Sequence, residues 1–202
     1  LQKIIYIWSE KMDINEYKKI IKPFLSEKRY HHSLCVYEEA VSLAKKYGVN
    51  EEKAGLAGIL HDIMKDIPPA EQLKMMTQFD IILSDVERSA QKLWHAILGA
   101  AYIENKLNIT DVEVINAVRY HTTGRANMTM LDKILFIADF ISADRDFDGV
   151  EDLRRTAQIS LEQAMIEGIT YTIKDLAGSY KPIHPDTISA YNQAVLKYKL
   201  NI

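Results

Sequence analysis

AGLAGILHDIMKD, residues 54–66, is the stretch on which the reading of this chain turns. Small and apolar residues run without a break into the adjacent His61 and Asp62, and Lys65 and Asp66 follow. Asn50 is a suitable N-cap just upstream, and Glu51 and Glu52 suit the positive end of a helix. The apolar run is built for burial. A buried helix has no use for an imidazole, a carboxylate and an ammonium at its end unless they hold something charged. A metal, a salt bridge and a histidine capped by its neighbour all remain open at this point, because an isolated His-Asp pair is a weak motif.

Helix signals continue outward in both directions. SDVE at 84–87 and TDVE at 110–113 read as capping boxes, each followed by apolar residues at helical spacing. Gly48 is placed to end a helix, Pro68-Pro69 interrupt after Ile67, and Pro185 falls where a first helical turn tolerates it. The pattern predicts seven to nine helices with short connections, starting near residues 13, 28, 51, 69, 85, 111, 129, 151 and 185. No convincing alternating run is bounded by turns, and 8 glycines and 5 prolines are too few for a turn-rich β-sandwich. The expected fold class is all-α, a single domain.

Composition narrows the function. With 202 residues, 48% hydrophobic and 26% charged, the chain has the profile of an ordinary globular protein with a real core. A net charge of −3 argues against a nucleic-acid partner, though not against a small phosphorylated ligand held by local cations or a metal. Nothing resembles a membrane span, and LQKIIYIW at the start is too short and lacks a cleavage site for a signal peptide. Cys35 is the one cysteine, which points to a reducing, cytoplasmic setting. A homodimer is expected.

Four further residues sharpen the question set by His61 and Asp62. His32 opens the helix of KRYHHSLCV, His95 lies in AQKLWHAILGAAYI, and His121 ends VINAVRYHTTG. Asp139 is embedded in ILFIADFI. Each histidine alone is explained as a hydrogen-bonded core residue. A carboxylate in so apolar a run is not, because burying it unpartnered costs several kcal/mol. Together they favour a metal site of nitrogen and oxygen donors, which suits Fe, Mn, Co, Ni or Zn in an open catalytic centre. Lys65, four residues after His61 and three after Asp62, overhangs the same face and suits a phosphate oxygen.

In this order, His32, His61-Asp62, His95, His121 and Asp139 resemble the HD-domain superfamily of metal-dependent phosphohydrolases. KRYHHSLCV, GILHDIMKD, YHTTG, DKILFIADFISADRDFDGVEDLR and PIHPDTISAYN together resemble its bacterial YqeK-type branch, the symmetrical diadenosine-tetraphosphate hydrolases. The resemblance implies an HD-type helical bundle over 13–202, with 1–12 an extension of uncertain origin. It also implies a dinuclear centre, iron by preference. His32, His61, Asp62 and Asp139 would hold the first metal, and His95 and His121 the second, with Asp62 bridging. The implied reaction is attack of metal-activated water on an inner phosphate, giving two ADP. Asp62 then acts in catalysis, Lys65 and Arg145 offset developing charge, and Arg29, Thr122 and Thr123 are further phosphate contacts. Arg29 and Arg125 are equally explained as surface charges.

Other readings remain in play: an HD nucleotidase or pyrophosphatase acting on mononucleotides, and a nucleotide sensor without turnover. The guanosine-tetraphosphate and cyclic-dinucleotide branches fit less well, since Met64 and Lys65 follow the His-Asp pair and no Gly-Tyr-Pro signature is present. DRDFDG at 144–149 imitates the first half of a calcium loop, but Arg155 stands where a bidentate Glu is required and Glu151 where an aliphatic residue belongs. The loop is expected instead to end the Asp139 helix and turn Arg145 inward. Trp8, Trp94 and Tyr120 could stack on adenine, although aromatic residues of this kind are more often core. His184 reads as part of a helix start.

Overall fold

The computed structural model describes residues 13–200, so Trp8 and the expected 1–12 extension lie outside the described residues. Among the described residues there are eleven α-helices and no strand, and the protein is all-α. They are α1 (Ile14–Ile21), α2 (Glu27–Tyr47), α3 (Glu51–Leu60), α4 (Pro69–Gln78), α5 (Asp85–Ser89) and α6 (Trp94–Lys106), then α7 (Val112–Tyr120), α8 (Met130–Ile141), α9 (Val150–Ile159), α10 (Leu161–Gly178) and α11 (Pro185–Leu200). No helix among the described residues is long and apolar enough to cross a membrane.

Local chemistry sets most boundaries. The Ser26 hydroxyl accepts from Arg29 N–H to start α2, and Gly48 ends it in the left-handed region at φ 68°, where a side chain would be strained. Asn50 caps α3 by accepting from Lys53 N–H at 2.9 Å. The Ser84 capping box is complete, with Glu87 reaching back to the Ser84 amide at 2.8 Å. The second expected box is corrected: Asp111, not Thr110, is the cap of α7, and its carboxylate accepts from Glu113 and Val114 N–H.

Two helix starts differ from expectation. The chain breaks at Ala90, and α6 begins at Trp94 after a short 3-10 turn at Gln91–Leu93. It breaks again at Ser160, extended at φ −148°, whose hydroxyl caps α10 through Gln163 N–H at 3.2 Å. Neither break carries a glycine or proline to announce it.

Helix α8 runs through the middle, with Leu131, Ile134, Leu135, Phe136, Ile137, Ala138 and Ile141 all buried. Helices α2, α3, α7 and α10 pack around it. Helices α2 and α3 cross tightly, and a Cβ on Gly58 would stand 2.9 Å from the Tyr37 Cα and 3.1 Å from the Val36 carbonyl oxygen. These are backbone atoms and cannot swing aside. Alanine at 58 would gain about 1 kcal/mol of helix propensity but force the helices apart at about 1–3 kcal/mol. Gly58→Ala is therefore expected to lower the thermal midpoint and metal affinity together, since α2 carries His32 and α3 leads into His61. A midpoint equal to or above that of the wild type would contradict the tight crossing.

Candidate metal centre

Helix ends bring the histidines together. His61 is the C-cap of α3 and His121 the C-cap of α7. Carbonyls in a last helical turn lack intrahelical partners. His61 Nδ1–H donates to the Gly58 carbonyl at 2.8 Å and His121 Nδ1–H to that of Val118 at 2.7 Å. Each ring is thereby locked with Nε2 facing inward as a lone-pair donor. Beyond Leu60 the chain winds on in tight turns, with Lys65 N–H on the Asp62 carbonyl at 2.8 Å, so His61 and its neighbour Asp62 both face the interior. His95 enters from the first turn of α6, His32 from α2 and Asp139 from the end of α8.

The result is a buried cluster. His61 is fully buried, and His32, Asp62, His95 and His121 are nearly so. Two donor groups overlap, His32–His61–Asp139 and His61–Asp62–His121, with the donor atoms of each within 4.8 Å of one another. Asp62 spans them. Its Oδ2 lies 3.4 Å from His61 Nε2 and 3.9 Å from His32 Nε2, while its Oδ1 lies 3.0 Å from His95 Nε2 and 3.7 Å from His121 Nε2. Asp139 Oδ1 is 3.0 Å from His32 Nε2 and 3.9 Å from that of His61. His61 Nε2 and Asp62 Oδ1 are buried and without a hydrogen bond. Orphaned inward atoms of this kind need a partner, and imidazole and carboxylate donors fit a divalent transition metal.

Charge within the cluster agrees. Burial pushes the Asp62 carboxyl up, but the attraction of His61 and of the His121 and His95 imidazoles gathered around it outweighs that and holds it well below 3.8. Asp139 follows the same pattern: burial raises it, and His32, Arg145 and His61 bring it well below. Burial drops the His95 imidazolium to about 4 against the opposing pull of Asp62, so the ring is neutral near pH 7, as a ligand must be. The Lys65 ammonium is also lowered by burial, opposed by Asp62 and Asp139.

Three cations ring this centre. Arg29 donates to Asp62 Oδ2 at 2.7 Å, Lys65 Nζ stands 3.8 Å from Asp62 Oδ1, and Arg145 donates to the carboxylate and the carbonyl of Asp139. Their side chains keep between a quarter and about a third of their exposure, enough to meet a ligand. Thr123 is buried with its hydroxyl on the Gly124 carbonyl, and Thr122 is half-buried beside it. Arg125 is paired with the buried Asp132 at 2.7 Å.

The expected loop is there: Arg145 turns inward from the segment after α8. Asp144 was not singled out by the sequence as a site residue, yet its Oδ2 lies 2.8 Å from His32 Nδ1. Trp94 is core, its indole N–H on the Glu87 carbonyl at 2.6 Å. Tyr120 is flanked by the guanidinium groups of Arg119 and Arg125, 5.2 and 5.0 Å from its ring centre. His31 is exposed and its ring meets Cys35.

The model of the HD domain matches residues 29–144, from the Arg29 that meets Asp62 to the Asp144 that meets His32. The chain belongs to the HD-domain family. Among its HD relatives, a Halalkalibacterium halodurans protein named symmetrical bis(5'-nucleosyl)-tetraphosphatase is 40% identical, with the alignment covering 90% of this chain and 96% of that one. Proteins of the same name from Bacillus subtilis and Staphylococcus aureus are 35% and 36% identical, over 91% and 90% of this chain and 98% and 94% of their own. A crystal structure from Clostridium acetobutylicum, described as a predicted HD superfamily hydrolase involved in NAD metabolism, superposes with a TM-score of 0.88 at 35% identity. That match covers 92% of this chain and 98% of the other.

Proposed function

We propose that this protein is a metal-dependent hydrolase of phosphoric anhydrides that splits diadenosine tetraphosphate symmetrically into two ADP, as the names of its relatives indicate for them. The observation that carries the reading is the Asp62 carboxylate, with one oxygen facing each half of the histidine cluster. His32, His61, Asp62 and Asp139 would hold one ion and His95 and His121, with Asp62, the other. Ions bound there supply Lewis acidity towards a phosphate oxygen and lower the pKa of water for attack on phosphorus.

The remaining steps belong to the protein. Nδ1 hydrogen bonds keep the His61 and His121 rings in the tautomer that offers Nε2. Burial of the cluster keeps these charges in a low dielectric, where they act strongly. Arg29, Lys65 and Arg145 lie where an incoming polyphosphate needs cations, and Lys65, set between Asp62 and His95, offsets charge on the transferring phosphate. Lys65→Met is expected to lower kcat by roughly 10²–10³-fold while bound metal is retained. A change confined to KM would move Lys65 from the reacting phosphate to simple binding.

The reading extends to iron as the metal and to a homodimer acting in the cytoplasm, where the lone buried Cys35 would stay reduced. The test is a substrate ranking on metal-loaded protein: kcat/KM for diadenosine tetraphosphate against the triphosphate homologue and mononucleotides. A preference for mononucleotides would replace this reading with a nucleotidase.

A further inference from the structure

The imidazoles of the cluster are anchored in three different ways. His61 and His121 rest on neutral carbonyls. His32 rests on a carboxylate, Asp144 Oδ2 at 2.8 Å, whose other oxygen accepts from the Ser142 hydroxyl at 2.8 Å. His95 faces a cation, with Lys65 Nζ 3.2 Å from Nε2 and 3.4 Å from Nδ1. The Asp144 loop is itself strapped down. From α9, Arg154 donates to the carbonyls of Ile141, Ser142 and Arg145 at 2.9, 2.8 and 3.0 Å. One guanidinium thus holds three carbonyls around Asp144.

We infer that Asp144 is a positioning residue for His32 and that, with Lys65 set against His95, it makes the two metal positions unequal. The His32–His61–Asp139 position binds tightly and fills first; the position of His95 and His121 binds weakly and fills second. The inference rests on the metal reading above. A carboxylate that accepts Nδ1–H fixes the tautomer with its lone pair on Nε2 and makes that nitrogen a stronger donor, whereas a carbonyl does the first and less of the second. An ammonium in contact with His95 opposes a second cation through a medium that screens poorly. Turnover by a centre built this way follows free metal at the weaker position.

The test is a calorimetric titration of metal-free protein with Mn²⁺. The wild type is expected to take up two ions with dissociation constants at least about tenfold apart. Asp144→Asn, close to isosteric, weakens the tighter step by about 10–100-fold and leaves the weaker step unchanged. Lys65→Met strengthens the weaker step alone. Asp146→Asn, at an exposed carboxylate two residues further along the same loop, alters neither. In the Zn²⁺-loaded protein, where Nε2 is taken by the ion, the His32 Nδ1–H proton should resonate far downfield and exchange slowly with water in the wild type and lose both properties in Asp144→Ala, which separates positioning from mere folding. Two steps of equal affinity, or an Asp144→Asn effect shared by both, would overturn the inference and leave the metal centre standing. A wild type that binds no metal would instead defeat the metal reading itself.

Discussion

Asp62→Asn is expected to lower kcat/KM on diadenosine tetraphosphate by at least about 10³-fold, roughly 4 kcal/mol of transition-state stabilisation. The size follows from the position of the side chain. One carboxylate oxygen serves His32, His61 and Arg29, and the other serves His95, His121 and Lys65. An amide of the same shape preserves packing but brings no negative charge to either half, so the two ions proposed for this buried site would lose their shared anion. Metal analysis should find less than the wild-type complement, and circular dichroism should find the helices intact. His31→Ala is the matched control, since that ring is exposed and outside the cluster, and full activity is expected. Wild-type turnover by Asp62→Asn would remove Asp62 from the centre.

Chelation is expected to produce the other large effect, loss of turnover together with a fall in thermal midpoint. Each ion held at a hundred times its dissociation constant stabilises the folded state by about 2.7 kcal/mol, and about 1 kcal/mol moves the midpoint of a chain this size by roughly 2–4 °C. A fall of about 5–10 °C per ion follows from those two relations. Readdition of Fe²⁺ under reducing conditions, or of Mn²⁺, should restore both quantities. A chelated protein with unchanged midpoint and undiminished turnover would mean that the histidines serve only the core.

Much of this was legible in the chain because buried charge is expensive. Asp139 within ILFIADFI announced a partner before any geometry was known, and the partners are His32 and Arg145. Helix caps were legible where the side chain bonds its own neighbours, as at Ser84 and Asn50. The choice of His32 over His31 also had a local signal: 32, 36, 40 and 43 share one face of α2, and all four are buried. Asp144 had none. Its partner is 112 residues away, and the acidic run around it imitates a calcium loop. Arg29 was legible as a cation near the site but not as the ion pair of Asp62, because that contact joins α2 to the turn after α3. The breaks at Ala90 and Ser160 were masked because helical spacing continues across both; Ser160 does carry a local signal, a hydroxyl that caps α10 through Gln163 N–H, whereas Ala90 has no capping side chain.

The most direct measurement of the central claim is the product pattern from diadenosine tetraphosphate, resolved by chromatography on metal-loaded wild type and on Asp62→Asn. ADP as the sole nucleotide product, absent with the variant, is the predicted result. ATP with AMP would place the attack on an outer phosphate, and no nucleotide product from a fully metal-loaded protein would contradict the assignment as a symmetrical hydrolase.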